Sequence, residues 1–230
     1  MELGVQKLKL RLTAEYGINI SEGRVYRLMK SMQLPKMSTH SSHGRRMKNY
    51  NCQAENILRR QFNPPAPNIV WVSDITFIRT AKGHCYLCVI IDLFARKVIA
   101  WAVNSSLSTK FVTELLLKAW RLRKNPKSVI FHSDRGSQYT SKLFRQLLDE
   151  IGFRQSLSAP GCPYDNAVVE SFFKSLKKEE INRRKFSQIE EVKQSVFSYI
   201  EGYYNKKRPH SANNWLSPDE KEAELWAEKK

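Results

Sequence analysis

Apolar positions along this chain recur with two periods, and the switch between them lays out the fold. Between residues 69 and 104 three β-branched and aromatic runs follow one another, IVWVSDITFI, HCYLCVIID and KVIAWAVN. They predict strands over about 69–78, 84–92 and 97–104, with Gly83 and the Ala95-Arg96 pair as hairpin turns. The spacing then becomes helical over about 108–124, where Phe111, Leu115, Leu116 and Ala119 share a face and Pro126 stops the run. A short apolar run predicts a strand over about 128–132. A helix over about 140–151, ended by Gly152, and a short strand over about 153–157 follow. Val169, Phe172, Phe173 and Leu176 form the apolar stripe of one more helix. Three antiparallel strands followed by alternating helices and strands imply an α/β fold with a mixed sheet.

Ahead of this core, residues 2–33 read as two short helices separated by Gly17. Ser21 is placed to cap the second, with Glu22 in its first turn. Val25, Leu28, Met29 and Met32 follow the i, i+3, i+4, i+7 pattern of one buried stripe. Arg24, Arg27 and Lys30 lie off it, on a face free to meet phosphate, as in half of a helix-turn-helix; the alternative is a helical hairpin with a solvated basic side. Residues 35–50 are polar and basic and read as a flexible linker; His40 and His43 lack a Cys pair at zinc-finger spacing. Pro64, Pro65 and Pro67 mark the core boundary. The expected division is an arm over 1–34, a basic and Pro-rich linker over 35–68, a catalytic core over 69–210 and a tail over 211–230. Phe197, Tyr199, Ile200, Tyr203 and Tyr204 keep helical spacing and read as core or interface. Lys206, Lys207, Arg208 and His210 read as a basic cluster, and the last Glu/Lys-rich stretch as a solvated helix or tail.

Charge adds a partner to this outline. The 230 residues carry a net charge of +17, of which +8 falls in residues 1–68, +8 in 69–154 and +1 in 155–230. A field concentrated on the arm and the first part of the core suits a polyanion such as nucleic acid, against the plainer alternative of a merely basic globular protein. The opening residues are charged rather than signal-like, and the apolar run Tyr86–Ile91 ends at Asp92, so neither secretion nor a membrane span is expected. Cys85 and Cys88 have C-x-x-C spacing but lie in a strand, where alternation sends them to opposite faces; with Cys52 and Cys162 they are expected to be structural thiols of a cytoplasmic protein.

Three acids carry the candidate chemistry. Asp74 ends an apolar run in WVSDITFI, Asp134 follows Val129-Ile130-Phe131 and precedes a Gly turn, and Glu170 opens an amphipathic helix. Each alone has an ordinary reading: a strand-end turn, a turn cap, a solvated helix charge. Together, two strand ends and a helix can bring three carboxylates to one sheet edge. Such a cluster needs a counter-charge, which hard divalent cations supply, and this suggests two-metal phosphoryl transfer. Asp92 is set aside as a strand-end residue with Arg96 or Lys97 as partner. At about 100° per residue, Asn166, Glu170, Lys174 and Lys177 fall within roughly 80° of arc, so one helix offers an acid to metals and ammonium groups to a DNA backbone. The plainer reading of the two lysines is a surface pair with Glu170 or Glu180. The loop SAPGCPYDNA precedes that helix, and its Tyr164 either stacks on an unpaired base or packs inward.

The strings WVSDITFI, HSDRGSQYTS and DNAVVESFFKSLKKE resemble the three blocks of the DDE transposases and integrases. More narrowly they resemble insertion-sequence transposases whose second reading frame carries the integrase core. The downstream YYNKKRPH and Ser217-Pro218 fit the same pattern, whereas NNWLSP departs from it. The resemblance covers residues 17 to 220 and implies a ribonuclease H-like core with a mixed five-stranded sheet. It further implies Asp74, Asp134 and Glu170 as the catalytic, metal-holding acids, with two Mg²⁺ that Mn²⁺ can replace. Lys177, seven residues after Glu170, is the basic residue expected to hold DNA. The implied activity is cleavage of double-stranded DNA at element ends and strand transfer into a target, through a circular intermediate, by a homo-oligomer at the nucleoid. A ribonuclease H-like nuclease that only hydrolyses, and an inactive DNA-binding remnant, are the competing readings.

Overall fold

A computed structural model describes residues 4–33 and 55–227. The segment 35–50, with His40 and His43, and Cys52 lie outside the described residues. The chain opens with helices α1 (Val5–Tyr16) and α2 (Glu22–Ser31), which pack on each other. Gly17 takes φ 67 between them, and Ser21 Oγ accepts from the Arg24 N–H at 3.3 Å as the expected cap.

The core sheet contains β1 (Val70–Thr80), β2 (Gly83–Asp92), β3 (Lys97–Asn104), β4 (Ile130–Ser133) and β5 (Arg154–Leu157), in the order β3-β2-β1-β4-β5. Strands β1 to β3 pair antiparallel through turns at Gly83 (φ 122) and Arg96 (φ 58), whereas β4 runs parallel to β1 and to β5. This is the ribonuclease H-like sheet that the element order implies. The remaining helices are α3 (Thr109–Leu122), α4 (Ser137–Thr140), α5 (Lys142–Glu150), α6 (Ala167–Glu179), α7 (Ile189–Tyr199), α8 (Asn205–Lys207) and α9 (Pro218–Ala227).

Side-chain alternation along the strands divides the core into two layers. Trp71, Cys88, Ile90 and Phe131 pack under α3 and α5 with Phe111, Leu115, Leu116 and Phe144. Val70, Val72, Cys85 and Val89 pack under α6 and α7 with Val169, Phe172, Leu176 and Val196. The central strands are buried on both faces, which is why their sequences read as nearly continuous apolar runs. Cys85 and Cys88 fall in opposite layers, as alternation requires.

Several C-terminal expectations are corrected. Tyr199, Ile200, Tyr203 and Tyr204 are core, but Phe197 is exposed. The basic run does not form a cluster: Lys206 and Lys207 are exposed, whereas Arg208 is buried against Glu179, because the π-turn Ile200–Tyr204 and α8 turn it inward. The stretch containing α9 is docked rather than solvated, since buried Glu222 pairs with Arg123 at 2.6 Å and Lys97 at 2.9 Å. Asp92 is structural, but its partner is Arg123 at 3.0 Å rather than Arg96 or Lys97, and it also caps the Asn68 and Phe94 N–H groups.

Candidate active site

Register places the first two acids. The β1–β4 pairing runs from Val70↔Ile130 to Ser73↔Ser133 and stops. The next positions on these parallel strands are Asp74 and Asp134. Alternation aims both at the layer of Val70, Val72 and Ile130, which is the face covered by α6. Asp74 is therefore mid-strand rather than at a strand end: β1 continues to Thr80, paired there with β2, and its other edge lies free of β4 from Asp74 onward. Crevices at the carboxyl ends of parallel strands are where open α/β sheets place their sites.

The third acid comes from above. Val169, Phe172, Phe173 and Leu176 seat α6 on the sheet, next to β1. Glu170, in the first turn, lies on the exposed side of that stripe.

Local bonds fix the two aspartates. Asp74 Oδ1 accepts from the Ile75 N–H at 2.7 Å, and Asp134 Oδ1 accepts from the Gly136 N–H at 3.0 Å. A Cβ at Gly136 would lie 3.0 Å from Asp134 Oδ1, so a larger residue there crowds the carboxylate. Beneath them Ser73 Oγ bonds Tyr139 Oη at 2.8 Å and the Val89 carbonyl at 2.8 Å, tying β1 to the α4 turn.

The carboxylates sense one another. Burial, then the charges of Asp134 and Glu170, push Asp74 up to about 8, against the Ile75 N–H and Lys177. Burial also raises Asp134, opposed by the Gly136 N–H. Burial and the charge of Asp134 raise Glu170. Among the described residues no three His, Cys, Asp or Glu side chains are gathered into a ready-made metal cage. The acids share a field while each aspartate is turned onto a backbone N–H.

The expected DNA contacts are placed unevenly. Lys174 is exposed, and half-buried Lys177 sets its ammonium 5.1 Å from the Phe77 ring centre. Burial lowers the Lys177 pKa, and the charge of Asp74 opposes this. Tyr164 is 71% exposed, which rules out inward packing. Asn166 is a correction: it is 5% exposed, with its Oδ1 buried and unpartnered. It ends a 3₁₀ turn (Pro163–Asn166) at φ −111, so the helical arc drawn from Glu170 does not extend to it. Arg24, Arg27 and Lys30 are exposed as expected, but the stripe opposite them is not buried. Val25 is buried and Met29 half-buried, whereas Leu28 and Met32 are exposed, because among the described residues α2 has only α1 as a sizeable partner.

Sequence reasoning missed the supports of the acidic site. His132, on the same strand face as Asp134, is buried between Ser156 Oγ (2.8 Å) and Ser158 Oγ (3.2 Å), and burial lowers its pKa to about 4. Asp165, 3% exposed, accepts from Asn56 Nδ2 at 2.8 Å, Arg60 Nε at 2.8 Å and the Ala159 N–H at 3.0 Å. Burial works to raise the Asp165 pKa, but these donors outweigh it and hold the group below the usual carboxylate range. Strand alternation signals His132; nothing local signals Asp165, whose main partners lie about a hundred residues away in sequence.

A mixed sheet whose neighbouring parallel strands run into two aspartates, overlaid by a helix carrying a glutamate, defines a polynucleotidyl transferase of the ribonuclease H-like class. Family models described as integrase core domain match residues 64–163 and 151–218. The transposase for insertion sequence element IS904 of Lactococcus lactis subsp. lactis (strain IL1403) is 40% identical over 203 residues, covering 88% of this chain and 80% of that protein. Transposase InsF for insertion sequence IS3A of Escherichia coli (strain K12) is 44% identical over 167 residues, covering 73% of this chain and 58%, less than two thirds, of that protein. The HTLV-2 integrase catalytic core domain, solved in complex with magnesium, shares the fold with a TM-score of 0.53 at 16% identity, over 68% of this chain and 97% of that one. The chain belongs to the insertion-sequence transposases that carry an integrase core.

Proposed function

We propose that this chain cleaves double-stranded DNA at the ends of an insertion element and joins the freed 3′-hydroxyl to target DNA, with Asp74, Asp134 and Glu170 as the metal-holding acids. The observation that carries the reading is the register that ends β1–β4 pairing at Ser73↔Ser133, so that Asp74 and Asp134 emerge side by side under α6. The donor set fits the metal: it is all carboxylate oxygen, the preference of hard cations such as Mg²⁺ and Mn²⁺, and the burial and neighbouring acidic charges that raise its pKa values are what a divalent cation would offset. Two bound divalent ions would supply the charge that activates an attacking oxygen and stabilises the leaving one.

The protein's own residues orient and hold. The Ile75 and Gly136 N–H groups fix the aspartate carboxylates, and the apolar stripe of α6 sets Glu170 over the sheet. Lys177 and Lys174 position phosphate as point charges, since an ammonium needs no change of protonation for that task. Tyr164 offers an exposed ring to an unpaired base. Arg24, Arg27 and Lys30 hold the flanking duplex, with residues 1–34 as arm and 69–210 as catalytic core. Buried Asn166 is assigned to shaping the loop rather than to touching DNA. A homo-oligomer holding two DNA ends completes the machine and keeps it on the nucleoid.

The test is a strand-transfer assay with DNA that flanks the gene, run on the native chain and on Asp74→Asn, Asp134→Asn and Glu170→Gln. Each variant is expected to lose cleavage and joining by several kcal/mol of barrier while still binding DNA, on the order of a thousandfold or more. Near-normal joining by any one of them removes that acid from the set. Cleavage without joined product in the native chain would replace the transposase reading with a hydrolytic nuclease.

A further inference from the structure

Residues 56–60 form a turn that no local sequence signal announces. Arg59 (φ 45) and Arg60 (φ 61) are consecutive non-glycine residues in the left-handed region, at a cost of roughly 1–2 kcal/mol each. The inner side of the turn enforces this shape. Leu58 is buried, and its N–H donates to Ser156 Oγ at 3.1 Å. The Arg59 N–H donates to Asn56 Oδ1 at 2.9 Å, and Asn56 Nδ2 donates to Asp165 Oδ2 at 2.8 Å. A strained turn held from within presents its outer side in one orientation, and that side is Arg59 and Arg60, both exposed.

Arg60 is fixed at its root and open at its tip. Its Nε donates to Asp165 Oδ1 at 2.8 Å, yet its side chain remains 54% exposed. A guanidinium has five N–H donors in a planar fork, so spending one leaves others for a phosphate. Asp165 meets Arg60 at Nε, and its carboxylate also accepts from Asn56 and the Ala159 N–H, so it anchors the root of the fork rather than its tip. The guanidinium carbon lies 6.0 Å from the centre of the exposed Tyr164 ring. The ring precedes Glu170 along the chain: Tyr164 is six residues ahead of it, on the turn that feeds α6, and Arg60 is tied to that turn through Asp165.

We propose that Arg60, oriented by Asp165 and paired with Tyr164, binds a backbone phosphate of the DNA strand entering the acidic site, while Tyr164 receives an unpaired base beside that phosphate. This rests on the DNA-processing reading above and adds a residue outside all three acidic motifs. It makes the segment before the core part of the active site rather than a passive connector.

The full chain is titrated by fluorescence anisotropy, across a salt series, with a labelled duplex of the element's terminal sequence, either blunt or carrying a single-stranded 3′ overhang. Arg60→Gln keeps a donor for Asp165 but removes the charge, and the slope of log affinity against log salt should fall by about 0.7–0.9, one phosphate. Arg60→Lys should retain that slope. Tyr164→Ala should weaken the overhang probe about tenfold and spare the blunt one, whereas Tyr164→Phe should behave as the native chain. An unchanged slope in Arg60→Gln makes the residue a structural clamp only and overturns the proposal. Should Arg60→Gln melt early, Tyr164→Ala decides, because that exposed ring supports no core; unchanged affinity for the overhang probe then overturns it. A native chain that binds neither probe overturns the DNA-processing reading as well; a native chain that cleaves and joins while both variants match it overturns only this inference.

Discussion

Replacing Arg208 with alanine should cost the fold about 3–5 kcal/mol, the usual penalty for leaving one buried charge without its partner. Arg208 is 7% exposed and Glu179 6%. The guanidinium grips that carboxylate with Nε on Oε2 at 2.9 Å and Nη2 on Oε1 at 2.8 Å, and Nη2 also reaches Ser175 Oγ at 2.9 Å. Tyr199 Oη adds a hydrogen bond to Oε2 at 2.7 Å. Burial alone would raise the Glu179 pKa; the arginine more than offsets it and holds the group below its ordinary value. Without Arg208, Glu179 keeps, among the described residues, the tyrosine hydroxyl and Lys7 Nζ, 3.6 Å away on α1. That ammonium relieves part of the penalty and favours the lower end of the range. At roughly 2–4 °C per kcal/mol for a chain of this size, the melting temperature should fall by about 6–12 °C for a loss near 3 kcal/mol. Denaturant titration and calorimetry on the same preparation measure it. Replacing both partners, Glu179→Leu with Arg208→Leu, should recover much of the loss, because no fully buried charge is then stranded and Lys7, 22% exposed, keeps access to water. A stability change within about 0.5 kcal/mol, together with a flatter salt dependence of DNA binding, would refute the reasoning and restore the basic-cluster reading.

Three further outcomes are expected. Gly136→Ala places a Cβ 3.0 Å from Asp134 Oδ1, so strand transfer should drop roughly tenfold or more, with little change in melting, since a displaced reacting group costs rate before it costs stability; full activity would show that the carboxylate tolerates the shift. Lys177→Ala should reduce end cleavage more than bulk DNA affinity and Lys177→Arg should keep part of it; full cleavage by Lys177→Ala with only a small stability change would return the residue to an ordinary surface role. Burial, and then the charge of Arg208, hold the His210 pKa down near 3. His210 is therefore neutral when folded but protonated when unfolded below about 6.5, so its contribution is full above that value and is lost as pH falls toward 3. His210→Gln should flatten the acid limb of the stability profile over that window, and an unchanged limb would remove His210 from the account.

What was legible in the chain is what depends on local pattern. Strand alternation fixed the faces of Cys85 and Cys88, and the same alternation, once β1 and β4 are paired in register, brings Asp74 and Asp134 together. The capping serine at Ser21 and the turns at Gly83 and Arg96 are local in the same sense. Two of the failures involve partners remote in sequence. Arg208 looks like any other member of KKRPH until Glu179, 29 residues earlier, claims it. Asp165 looks like a loop acid until Asn56 and Arg60, 109 and 105 residues away, close on it. Asn166 lies off the helical arc because the chain there is a 3₁₀ turn, which turns by about 120° per residue rather than 100°. The stripe on α2 is only partly buried, because periodicity shows which residues share a face, not whether anything covers them.

These remote partners bear on how the elements that carry the three acids are held. Two sit on strands, where backbone N–H groups fix them. The third rides on α6, and α6 is flanked at both ends by a buried carboxylate. At its start Asp165 is bound by Asn56, Arg60 and the Ala159 N–H; at its end Glu179 is bound by Arg208 and Tyr199, with Lys7 of α1 alongside. Each pin ties the helix to a segment flanking the catalytic sheet, one just before β1 and one after α7. Burial first, and then the neighbouring acidic charges, raise Asp74 and Glu170; that repulsion favours pushing the acids apart, and the two pins oppose it at α6. Loosening either should therefore show first as lost geometry at Glu170, before any change in the acids themselves.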